Sequence, residues 1–124
     1  MAKNLWGDLS SLEIVRTPKT ILDEQAVLLT KATEGILAGV VEDETRSRSF
    51  RYSLNVVVPA LNNYKYEILE VLHPLEIYPV RLLCERPKVD ATIKSEEDFE
   101  DVIAKVLSSP EVRSVLSRLK SQVA

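Results

Sequence analysis

The chain has 124 residues, 45% of them hydrophobic and 28% charged, with a net charge of -3. That balance excludes a disordered or low-complexity chain, and the length suits one domain that holds itself together without disulfides. The acidic sign argues against a protein that lives on phosphate contacts, since such proteins carry an excess of Lys and Arg.

No apolar run approaches the ~20 residues a membrane-spanning helix needs. Residues Met1 to Asp8 lack an apolar stretch with a small-residue cleavage site, so no secretory leader is expected. Cys84 is the only cysteine and sits in an apolar run from Val80. It reads as a reduced core residue, which makes a cytoplasmic location the expectation.

Residues 1–16 scatter Leu5, Trp6, Leu9, Leu12, Ile14 and Val15 among polar residues. They read as a short helix or an arm docked on the body with Trp6 as its anchor, since a large ring is stabilised by burial. An arm reaching to a partner is the second reading. Thr17-Pro18 is a helix start, and Ile21, Leu22, Leu28, Leu29 and Ala32 recur at helical spacing before Gly35. The spacing predicts an amphipathic helix over 18–33.

A strand over Ile36 to Glu42 follows, with Gly39 marking a bulge or a close approach. Glu44 to Ser49 reads as a hairpin loop. Phe50, Tyr52, Leu54, Val56 and Val58 alternate with Arg51, Ser53, Asn55 and Val57, a strand with one apolar face that Pro59 ends. Residues 64–72 form the next strand, with Tyr66, Ile68 and Leu72 expected on one side. Ile77 to Cys84 reads as a strand that Pro79 confines to a sheet edge or bulges, and Val89 to Lys94 as a short last strand. Ser95 and Ser109-Pro110 each start a helix. Their apolar stripes are Phe99, Val102, Ile103, Val106 and Leu107, then Val112, Val115, Leu116 and Leu119.

The connections are too short for parallel crossovers. The expected fold is therefore α+β: an antiparallel meander of four or five strands, with an N-terminal helix and two C-terminal helices packed on one face. It is read as one domain over 1–124, made of the arm at 1–16, helix plus sheet at 17–94 and two helices at 95–124.

The sequence is poor in catalytic patterns. One histidine and one cysteine do not make a zinc site, and Gly7, Gly35 and Gly39 are too scattered for a phosphate loop. No cofactor or metal is expected. The acidic run from Glu96 to Asp101 lacks the central glycine of a calcium loop and suits a helix N-terminus. His73, with Glu70, Glu76, Tyr78 and Arg81 nearby, is the best acid–base candidate, because a carboxylate can orient an imidazole. A histidine before proline equally serves a strand end.

Tyr64 and Tyr66 share a strand face, and Tyr78 paired across from them completes an aromatic patch able to grip a partner. Trp6 joins them as a binding candidate. Arg46, Arg48 and Arg51 are the densest basic cluster, offset by Glu42, Asp43 and Glu44 directly before them. The reading is a small protein-binding or adaptor module that acts through contacts with a protein partner or another copy of itself, without a membrane. The alternatives are a small enzyme or nuclease-associated subunit built around His73 and Arg81, and a weak nucleic-acid binder through the three arginines.

Overall fold

The computed structural model describes residues 2–124; Met1 lies outside them. The N-terminal helix α1 (Pro18–Ala32) starts where the Thr17 hydroxyl accepts the Thr20 N–H at 3.2 Å, with Pro18 in its first turn. It ends at Thr33, and Gly35 takes a φ of +81°, a left-handed turn open to glycine.

Five strands follow: β1 (Ala38–Asp43), β2 (Phe50–Val58), β3 (Tyr64–His73), β4 (Val80–Cys84) and β5 (Val89–Ile93). They form one antiparallel sheet in chain order, the meander that the short connections imply. Two helices close the chain, α2 (Glu96–Leu107) and α3 (Pro110–Val123). Each starts on a serine whose hydroxyl accepts a backbone N–H: Ser95 from Asp98 and Ser109 from Val112.

The register decides what each face does. Tyr52, Leu54 and Val56 of β2 lie beside Val71, Leu69 and Tyr66 of β3, and Val71 lies beside Leu82 of β4. This face meets all three helices, so the core runs from Ile21 and Leu22 of α1 through the sheet to Phe99, Ile103 and Val112. The opposite face carries Arg51, Glu70, Lys65 and Arg81 in ion pairs. At its centre Ser53 and Asn55 are buried, and Asn55 Nδ2 donates to Ser53 Oγ at 3.0 Å. The period-2 alternation of β2 thus separates an apolar face from a polar one whose middle is still dry.

Three sequence expectations change here. The pairing of β2 with β3 slips between Leu54 and Asn55, because Ile68 is an extra residue in β3. This bulge turns Leu72 to the polar face beside Arg51 and Arg81, away from the face of Tyr66. The strand expected from Ile77 begins only at Val80, so Pro79 precedes the ladder, and β4 is central; β1 and β5 are the edges. The arm is not docked: Trp6 is 81% and Ile14 98% exposed. The three helices already cover the apolar face, which leaves the Trp6 ring no place in the core. No helix among the described residues is long and apolar enough to cross a membrane.

Candidate binding surface

His73 ends β3 with its side chain on the core face, stacked on Phe50 at a centroid distance of 5.2 Å. Its Nδ1 donates to the Pro74 carbonyl at 2.8 Å, while Nε2 is buried without a partner among the described residues. No side-chain carboxylate hydrogen-bonds it among the described residues. Arg81 pairs with Leu72, so register sends its side chain to the other face, where Asp90 holds the guanidinium at 2.9 Å. Both residues border a cleft of about 430 Å³, and no carboxylate lines it. The acid–base grouping that the sequence suggests around His73 and Arg81 is not assembled: the two meet at the cleft, but neither Glu70 nor Glu76 lines it.

Arg51 lies against Glu70 at 3.0 Å, so part of the basic cluster is neutralised across the strand. Arg46 and Arg48 stand exposed in the β1–β2 hairpin, and Arg46 shares a small depression with Glu44. The hairpin presents mixed charge, as the acids preceding the arginines lead one to expect.

The tyrosines separate into two places. Tyr78 sits in the loop before β4, with its hydroxyl buried and without a partner among the described residues. Burial, and then Glu96 and Glu100, push its pKa above the ordinary value. It stands at the His73 end of β3, roughly 30 Å along the strand from Tyr64. The three-tyrosine patch therefore does not form. Tyr64 and Tyr66 remain together at the start of β3, with Tyr64 51% exposed.

What sequence reading misses at that end is a flank. β3 pairs with β2 along its length, but β4 joins it only at Glu70, Val71 and Leu72. Among the described residues no strand pairs with Tyr64–Leu69 on the β4 side. The bulge at Ile68 and the turn after Cys84 hold the strands apart, and a groove of about 640 Å³ opens between them. Lys65, Tyr66 and Glu67 line one wall, and Glu85, Lys88 and Val89 the other. Cys84 at its base is buried and donates its thiol hydrogen to the Ile68 carbonyl at 3.1 Å. Burial pushes that thiol above its ordinary pKa, so it remains a protonated, unreactive group.

Glu67 carries the clearest electrostatic signal in the groove. Burial raises its carboxyl above the ordinary range, and Glu70, Glu44 and Glu85 add to the effect. The site is a half-open strand with two tyrosines and an excess of negative charge beside it. No cluster of metal-ligating side chains occurs among the described residues. No family model matches the chain, and no curated protein or solved structure matches it.

Proposed function

We propose that the chain is a small protein-binding module that takes an extended segment of a partner along the free flank of β3. The observation that carries this reading is the unpaired stretch Tyr64–Leu69 beside a groove of about 640 Å³. Unpaired strand backbone is a template for an added strand, and side-chain pockets alongside it supply selectivity. Tyr66 in the groove wall and Tyr64, exposed next to it at the start of the strand, offer rigid contact area, and the groove's four acids against two lysines favour a segment bearing Lys or Arg.

The test is capture from native cells with the tagged full chain, with and without nuclease. A stoichiometric protein that survives nuclease and is lost with Tyr64→Ala, while the variant keeps its melting temperature, supports the module. Undiminished capture by Tyr64→Ala removes this surface. A capture list that collapses on nuclease treatment replaces it with nucleic-acid binding through Arg46, Arg48 and Arg51.

A further inference from the structure

The arm carries more exposed apolar side chain than any other part of the chain. Leu5 is 85%, Trp6 81%, Leu12 70% and Ile14 98% exposed. Together with Leu9 and Val15 they present on the order of 800 Å² of apolar surface, the share one partner gives to a standard interface. Monomers seldom leave such a patch in water. Leu9 and Leu12 fall at i and i+3, on one side of a helical turn. One helical turn already exists at Leu9–Ser11, capped by Asp8, whose carboxylate accepts the Ser10 N–H at 3.0 Å.

The body has a matching receptor between α1 and the C-terminal helices. Two depressions of about 500 and 520 Å³ meet at Arg113. Their apolar lining includes Leu107 and Leu116 with the almost fully buried Ile21 and Ile103; Arg16 and Glu100 pair with each other at the first depression, and Arg113 and Lys120 form no ion pair among the described residues. Leu28, on the α1 stripe of Ile21, is 55% exposed along the same side. The segment Leu5–Val15 contains two acids, Asp8 and Glu13, and no base. Its charge therefore complements the two cations of the groove.

The arm does not lie in its own groove: Trp6 and Ile14 stay exposed although Arg16, which ends the arm, borders the first depression and is clamped there by Glu24, Glu96 and Glu100. We infer that the arm of one copy docks in the α1–α3 groove of a second copy, giving a reciprocal, arm-exchanged dimer.

Sedimentation velocity of the full chain, from about 5 to 500 µM, tests this over the range expected for moderate affinity. The mass should rise from 14.0 kDa toward twice that value. The emission of Trp6, the only tryptophan, should shift blue with concentration. Leu12→Asp and Arg113→Glu should each be monomeric, and their mixture should regain a dimer through the one intact arm and the one intact groove. If Arg113→Glu fails to fold, Lys120→Glu takes its place. A monomer at the highest concentration, a dimer unchanged by Leu12→Asp, or a Trp6 shift independent of concentration overturns the inference. None of these outcomes bears on the β3 flank, which the Tyr64→Ala capture tests separately.

Discussion

Gly39 of β1 lies directly against Ala26 of α1: a Cβ placed on it would stand 2.4 Å from the Ala26 carbonyl oxygen. Thr30 fastens the same contact, accepting the Gly39 N–H at 2.9 Å and donating to the Ala26 carbonyl at 3.0 Å. The strand and helix meet backbone to backbone, and neither side has a flexible tip that can move aside. Gly39→Ala should therefore cost about 2 kcal/mol through overpacking. Urea unfolding measures it as a lower midpoint with an unchanged slope; an unchanged midpoint would mean that α1 slides freely over β1.

Tyr78 hides a hydroxyl that has no partner among the described residues. An unsatisfied buried donor costs free energy that its removal returns. Tyr78→Phe should stabilise the protein by about 1 kcal/mol, raising the melting temperature by roughly 4 °C. A drop in melting temperature would show that the hydroxyl is bound in solution.

Glu67 gives stability a pH dependence with a definite sign. The residue is exposed overall, but the groove wall removes part of its carboxyl from water; that partial desolvation first, and then Glu70, Glu44 and Glu85, hold its folded pKa above the ordinary 4.5. The folded state thus holds this proton more tightly than the unfolded chain does. The benefit is complete below the unfolded pKa and is lost as pH rises through the raised folded value. At pH 7 the ionised group is a standing penalty, which Glu67→Gln removes. Solvent at this exposed position screens the effect, so the gain should be only about 0.3 kcal/mol. Melting curves of the two proteins should differ at pH 7 and converge below pH 4.5. A gap of the same size at both pH values would exclude ionisation as its source.

Local signals carry most of the fold because they act over a few residues. Thr17-Pro18, Ser95 and Ser109-Pro110 cap the helices they announce, and the alternation from Phe50 to Val58 orients β2 correctly. The features that failed depend on pairing between distant segments. Leu72 changes face because one extra residue at Ile68 has no mark in the sequence, and β4 is central because β5 pairs beyond it. The tyrosine grouping was half legible: Tyr64 and Tyr66 share a strand, whereas Tyr78 depends on where the loop before β4 begins. The free flank of β3 had no sequence signal, since it arises from where β4 stops pairing. The exposure of Trp6 was equally invisible, because an apolar side chain reads the same whether or not the core has room for it.

Ile68 also governs how β3 tolerates changes in length. Elsewhere in the strand, losing one residue would exchange the inward and outward sets on one side of the gap. At Ile68 the two halves already stand in phase across the insertion, with Leu54 beside Leu69 and Asn55 beside Glu67. Deleting that residue would keep every remaining side chain on its present face and straighten the strand. β3 could then meet β4 as far as Cys84, where the turn into β5 ends the ladder. Tyr64–Glu67 would keep its free flank, so the shortness of β4, more than the bulge, holds the groove open.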